Sequence, residues 1–104
     1  MDVVVETPTY LKAAKASGMT DAEMKAAVLL VSANPEAGDL MVGTGGCRKV
    51  RLAGKGKGKS GGFRLITFYK LGEQVFLLTV FAKGDRANLN QRERNALKDL
   101  TALL

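Results

Sequence analysis

The chain has 104 residues, 46% of them hydrophobic and 25% charged, a size and composition typical of one soluble globular domain over residues 1–104. It contains no histidine and one cysteine, Cys47, which excludes Ser-His and Cys-His nucleophile pairs and argues against a disulfide, a metal site or another cofactor. No apolar run is long enough to cross a bilayer and no signal peptide is recognisable. We therefore expect a cytoplasmic protein without membrane contact.

The net charge of +6 is distributed unevenly. The window from Leu40 to Gly72 contains no Asp or Glu, whereas the rest of the chain holds all ten acidic residues. The eight basic residues of this window are Arg48, Lys49, Arg51, Lys55, Lys57, Lys59, Arg64 and Lys70. A patch of one sign attracts polyanions such as RNA. The alternative is a solvated loop that lysines keep soluble.

The first third of the chain predicts a strand and two helices. Val3 to Val5 are β-branched and favour a short strand, and Thr7-Pro8 is typical of a helix start. Thr20 and Glu23 have the spacing of a capping box ahead of a second helix, which Asn34-Pro35 ends. The apolar stripe of that helix, which we assign to the core, consists of Met24, Ala27, Val28 and Val31.

The middle of the chain predicts strands. Residues 35–46 are rich in glycine and predict an irregular connection. Residues 47–52 alternate, with Cys47, Lys49 and Arg51 on one face and Arg48, Val50 and Leu52 on the other. A hairpin loop over residues 53–62 leads to a strand over residues 63–71, and a tight turn at Gly72-Glu73 leads to a strand over residues 75–82. The last strand is apolar almost throughout, which predicts a central position with both faces covered.

The final element is a helix that begins at Asn90, with Glu93 as its capping partner. Its apolar stripe of Ala96, Leu97, Leu100 and Leu104 should pack on the sheet. The predicted order is β-α-α-β-β-β-α, an α+β fold with helices on a mainly antiparallel sheet.

The glycine-rich loop matches two nucleotide-binding patterns only in part. Residues 56–61 fit the dinucleotide pattern G-x-G-x-x-G, but a strand follows where that motif needs a helix. A phosphate loop fails on spacing, because Ala53 occupies the position of its first glycine. What remains is a loop whose backbone N–H groups and lysines can approach phosphate.

Five segments together resemble RelE/HigB-type toxins of the RelE/ParE superfamily. They are residues 37–39 (AGD), 43–51 (GTGGCRKVR), 56–66 (GKGKSGGFRLI), 76–83 (FLLTVFAK) and 88–90 (NLN). The resemblance implies a toxin of a toxin-antitoxin pair, acting as a ribosome-dependent mRNA endonuclease without a metal. It also implies a cognate antitoxin partner, for which we expect a helix-turn-helix protein.

The resemblance also implies roles for individual residues. Arg64 falls at the position of an arginine that grips the scissile phosphate, a task for which the planar guanidinium is suited. Lys57, Lys59 and Lys83 fall at basic positions of the active cleft, and they join Arg64 as predicted catalytic residues. The residues predicted to bind RNA or the ribosome are Arg48, Lys49, Arg51 and Lys55. For Arg48 and Arg51 the antitoxin is the alternative partner.

One departure from the family pattern leaves two alternatives open. Many active relatives have a tyrosine or histidine near the end of the chain, and residues 85–90 contain neither. The alternatives are a non-catalytic ParE-like toxin that inhibits DNA gyrase, and an RNA-binding module without nuclease activity.

Overall fold

In the computed structural model, residues 3–54, 62–86 and 88–104 are described. These residues form three helices and one five-stranded sheet. In chain order the elements are β1 (Val3–Glu6), α1 (Pro8–Ala16), α2 (Asp21–Ala33), β2 (Asp39–Leu40), β3 (Cys47–Leu52), β4 (Phe63–Lys70), β5 (Gln74–Ala82) and α3 (Gln91–Thr101). The predicted α+β class is therefore confirmed.

All three predicted helix starts are confirmed by their capping hydrogen bonds. The Thr7 hydroxyl accepts from the Tyr10 N–H at 3.2 Å, with Pro8 in the first helical position. Reciprocal capping boxes open α2, at Thr20 and Glu23, and α3, at Asn90 and Glu93. These bonds satisfy N–H groups that have no partner within the helix, and each cap contributes about 1 kcal/mol.

The sheet has the strand order β1-β5-β4-β3-β2. Strands β3, β4 and β5 form the predicted antiparallel meander, whereas β1 pairs in parallel with β5 at one edge. The tight turn between β4 and β5 is also confirmed: Glu73 N–H donates to the Lys70 carbonyl at 2.9 Å, and Gly72 has a φ of +77°. A register shift in the β4–β5 ladder between Ile66 and Thr67 marks a bulge.

The prediction of an irregular connection over residues 35–46 was wrong in one detail. Asp39 and Leu40 form β2, which pairs with Lys49 and Arg48 of β3 at the second edge. The rest of this connection is anchored to α3, because the Thr101 hydroxyl donates to the Thr44 carbonyl at 3.2 Å.

The two faces of the sheet carry separate apolar cores. Helices α1 and α2 cover one face, where Tyr10, Ala27 and Val31 pack with Leu65 and Leu77. Helix α3 covers part of the other face through Leu97. The buried residues of this second core are Met41, Cys47, Ile66, Leu78, Phe81, Leu89 and Leu97. Strand β5 contributes to both cores, so its predicted central position is confirmed. Lys49 and Arg51 of β3 and Arg64 of β4 lie on this second face.

Candidate nucleic-acid interface

Strand β3 sorts its basic residues onto opposite faces of the sheet. Cys47 is fully buried in the core beneath α3. Because side chains alternate along a strand, Lys49 and Arg51 lie on the same face as Cys47. Val50, on the opposite face, is buried in the core beneath α1 and α2. The alternation predicted from sequence therefore holds, and it turns two cations of β3 toward the α3 side.

Arg64 lies between β3 and β5 on this same face. In the sheet register it is opposite Arg51 on one side and opposite Phe81 on the other. Only 6% of the residue is exposed, although both of its nearest β3 neighbours on this face, Arg51 and Lys49, are also cationic. Cross-strand neighbours of like charge repel each other, so this arrangement is unfavourable for the protein alone.

The positive charge of the Arg64 guanidinium has few compensating contacts within the described residues. Its Nη1 donates to the Phe63 carbonyl at 3.3 Å, and no described carboxylate forms an ion pair with it. Desolvation by burial, and then the charge of Arg51, lower the pKa of Arg64 below its usual value. A guanidinium has five N–H donors in a fixed fork. Arg64 is therefore suited to an external anion with several acceptor oxygens.

Lys83 follows directly on β5, at the same end of the sheet as Arg64. Its backbone N–H donates to the Gly62 carbonyl at 2.9 Å and so extends the β4–β5 ladder by one bond. The residue is half-buried. Lys83 therefore lies near Arg64 in the fold, although 19 positions separate the two in sequence.

A second arginine on this side was not singled out from the sequence. The Cζ atom of Arg86 lies 4.9 Å from the centroid of the Phe81 ring, and Phe81 is the cross-strand partner of Arg64. Arg86 also forms two hydrogen bonds with the Glu93 carboxylate, at 2.7 and 2.6 Å. The capping box identified Glu93 in the sequence, but its spacing gave no indication that Arg86 would be a partner.

Arg48 lies apart from the cluster. Its guanidinium donates to the carbonyls of Glu36 and Gly38 at 3.1 and 3.2 Å, and one nitrogen is 3.8 Å from the Glu36 carboxylate. These bonds link the segment that follows α2 to strand β3, near the edge of the sheet. The structure thus separates Arg48 from Lys49 and Arg51, with which it was grouped from the sequence.

The loop lysines Lys55, Lys57 and Lys59 lie outside the described residues. The described residues flanking them are Gly54, after β3, and Gly62, before β4. The ends of these two strands carry Arg51 and Arg64, so the loop begins and ends beside the basic pair.

The other sequence observations concern metals, tyrosine and membranes. Across residues 3–54, 62–86 and 88–104, no group of three His, Cys, Asp or Glu side chains could hold a metal ion. Tyr69 packs against the core beneath α1 and α2, on the face opposite Arg64. No described helix combines the length and hydropathy needed to span a bilayer.

What the described site offers chemically is a surface of cations with one buried guanidinium. Lys49, Arg51 and Arg64 share one face of β3 and β4, and Lys83 stands at the end of the same ladder. Such a group can neutralise phosphates, and Arg64 can grip one of them with two parallel N–H bonds.

Comparison with known families agrees with this description. A family model described as "RelE toxin of RelE / RelB toxin-antitoxin system" matches residues 3–104. Because the match covers nearly the whole chain, the chain belongs to the RelE toxin family, as the sequence resemblance indicated. It is a toxin of a toxin-antitoxin system, and an antitoxin is its implied partner.

Proposed function

We propose that this member of the RelE toxin family is a ribosome-dependent mRNA endonuclease that inhibits translation. The observation that carries the proposal is the buried guanidinium of Arg64, beside Arg51 and without an ion pair to any described carboxylate. Burying an uncompensated charge lowers the stability of a protein. A protein that retains such a charge is best explained by an anion that binds to it, and the phosphate of RNA fits both the charge and the donor geometry.

The proposed reaction uses the substrate's own 2′-hydroxyl. The 2′-oxygen attacks the adjacent phosphorus, the bond from phosphorus to the 5′-oxygen breaks, and the proton of the 2′-hydroxyl passes to a base. The 5′-oxygen leaves with a proton from an acid, and the products are a 2′,3′-cyclic phosphate and a 5′-hydroxyl. The phosphorane carries additional negative charge, which cations in the site stabilise.

In this proposal Arg64 holds the scissile phosphate, and its N–H fork stabilises the charge of the phosphorane. Lys83, at the end of the ladder, adds a second cation. We propose that Lys57 and Lys59 approach the phosphate from the loop between β3 and β4. Positive neighbours there would favour the neutral form of a lysine, which can accept a proton. The chain has no histidine, so lysines or groups of the ribosome carry out the proton transfers.

Lys49, Arg51 and Lys55 are proposed to bind the flanking RNA backbone. The bonds of Arg48 to Glu36 and Gly38 favour a structural contribution from that residue, so we assign it the weakest effect on RNA binding. The antitoxin, for which we propose a helix-turn-helix protein, would silence the activity, and we propose that the protein acts in the cytoplasm.

Mapping mRNA 5′ ends after pulsed expression without antitoxin tests the proposal. Cleavage on the ribosome should give 5′-hydroxyl ends in phase with codons and arrest growth, and Arg64→Ala should abolish both. Lys25→Ala is the matched control, since it removes an exposed cation from α2, on the opposite side of the sheet. Intact mRNA with a DNA-damage response would instead indicate gyrase inhibition. RNA binding without cuts would indicate a binding module, and either result would refute the proposal.

A further inference from the structure

The guanidinium of Arg86 lies over an aromatic ring and is held there by a carboxylate. Its Cζ atom is 4.9 Å from the Phe81 ring centroid, and its two terminal nitrogens donate to the two oxygens of Glu93. The guanidinium therefore has the ring as one neighbour, and the carboxylate binds its two terminal nitrogens. The side chain of Arg86 is 39% exposed, so part of it remains accessible to a ligand.

Glu93 is itself fixed, so the orientation of this plane does not depend on a ligand. Its Oε1 also accepts from the Asn90 N–H at 2.9 Å, within the capping box of α3. The hydrogen bonds from Arg86 lower the pKa of Glu93, which keeps the carboxylate ionised at neutral pH. A plane that is already oriented binds a second plane at a smaller entropic cost.

The guanidinium of Arg86 lies close to Arg64, the residue proposed to bind the phosphate. Phe81 is the cross-strand partner of Arg64, and paired residues of adjacent strands have Cβ atoms about 5 Å apart. A nucleotide whose phosphate lies on Arg64 therefore has its own base, or that of its neighbour, within reach of Arg86.

We propose that Arg86, held against Phe81 by Glu93, is a platform on which one base of the bound RNA stacks. Unpaired bases commonly stack on arginine planes as well as on aromatic rings. The proposal rests on the proposed function, because it requires RNA bound at Arg64. It assigns a base-stacking surface to a chain that has no tyrosine or histidine between residues 85 and 90.

The bonds to Glu93 distinguish this role from a phosphate contact. They pair the charge of Arg86 with a carboxylate and use one N–H of each terminal nitrogen. Arg86 should therefore contribute planar contact, whereas Arg64 and Arg51 contribute charge. A lysine at position 86 would keep the charge but lose the plane, so Arg86→Lys separates the two roles.

Binding of the full chain to ribosomes programmed with a short mRNA tests the proposal. The mRNA carries 2′-deoxynucleotides at the cleavage site to prevent cutting, and a single abasic nucleotide is placed in turn at each position of the exposed codon. For the wild-type chain, removal of one particular base should weaken binding about tenfold, which is the scale of one stacked base. For Arg86→Lys and Arg86→Ala, binding should be about tenfold weaker with the intact mRNA, and the abasic substitution should have no further effect.

Two further variants complete the experiment. Arg92→Ala, which removes an exposed arginine from the first turn of α3, should behave as the wild type. Glu93→Gln keeps Arg86 but weakens its anchor, and should show a smaller loss confined to the same base. Unfolding transitions of all variants are compared with that of the wild type.

The outcomes separate the two proposals. If abasic substitutions weaken the binding of Arg86→Lys as much as that of the wild type at every position, the stacking platform is refuted while the proposed function stands. If Arg86→Lys retains full binding and only Arg86→Ala loses it, Arg86 acts through charge and the platform is again refuted. If Arg64→Ala binds as tightly as the wild type and all-ribose mRNA is not cut, the proposed function fails first, and the stacking proposal fails with it.

Discussion

Replacing Arg64 by methionine should stabilise the protein while abolishing its toxicity. The substitution removes a charge from a residue that is 6% exposed and leaves a flexible side chain of comparable length in its place. It also removes the repulsion from Arg51 across the strand pair, about 0.5 kcal/mol for like charges opposite each other. Replacing buried ionic groups by well-packed apolar ones stabilises proteins by about 1–4 kcal/mol when it has an effect.

We therefore expect the free energy of unfolding to rise by about 2 kcal/mol, a value within the range of those replacements. For a domain of this size, that corresponds to a Tm increase of roughly 10 °C. The gain should be constant between pH 5 and 9, because Arg64 is protonated there in both the folded and the unfolded chain.

The assay is thermal and urea unfolding of Arg64→Met beside Arg48→Met. Arg48 has two backbone acceptors and Glu36 as partners, so its replacement should lower the stability by about 1 kcal/mol. Added RNA should raise the Tm of the wild type more than that of Arg64→Met, because a ligand stabilises the form that binds it. If Arg64→Met is less stable than Arg48→Met, the charge of Arg64 is compensated within the protein, and the inference of an anion site fails.

Three further predictions concern stability and its dependence on pH. Gly45→Ala should lower the free energy of unfolding by about 2 kcal/mol, because φ is +76° and the added Cβ would overlap the hydroxyl of Thr101 in α3. Gly43→Ala, at a similar φ but with open space around the added Cβ, should lower the free energy of urea unfolding by about half as much. Tyr10→Phe should stabilise by about 1 kcal/mol, since the buried hydroxyl has no partner among the described residues. Burial and then Glu6 raise the pKa of Tyr10 to about 12, so wild-type stability should fall from pH 10 to 12, where only the unfolded chain loses this proton, and Tyr10→Phe should lack that fall. The Arg86 hydrogen bonds lower the pKa of Glu93, so the stabilising contribution of its carboxylate is present at neutral pH and is lost as the pH falls through the lowered pKa. Acid titration of Glu93→Gln against the wild type should show a difference in stability under about 1 kcal/mol that disappears in acid.

The predictions from sequence succeeded where local chemistry determines the structure. The caps at Thr7, Thr20 and Asn90 involve side chains and N–H groups at most three positions apart, so spacing alone identifies them. The alternation of β3 likewise depends only on the strand period, and it placed Lys49 and Arg51 correctly on one face.

The sequence was less informative where a partner is distant. Asp39 and Leu40 form a strand because β3 offers an edge to pair with, which their own glycine-rich surroundings do not indicate. The contact of Arg86 with Phe81 and Glu93 depends on how α3 packs on the sheet. Arg48 illustrates a different failure, because the predicted alternation already placed it on the other face, and charge alone led to its grouping with Lys49 and Arg51.

The arginines of the described residues show why Arg64, rather than overall charge, identifies the candidate site. Arg48 and Arg86 have carboxylate partners, and Arg94 donates to the Val42 carbonyl at 3.0 Å. Arg51 and Arg92 are exposed, so water solvates them. Arg64 alone among these described arginines is buried, and its one hydrogen bond to a described residue is to the Phe63 carbonyl at 3.3 Å. A net charge of +6 favours polyanions over the whole surface, whereas the donors of Arg64 that no described residue accepts indicate where we propose that one phosphate binds.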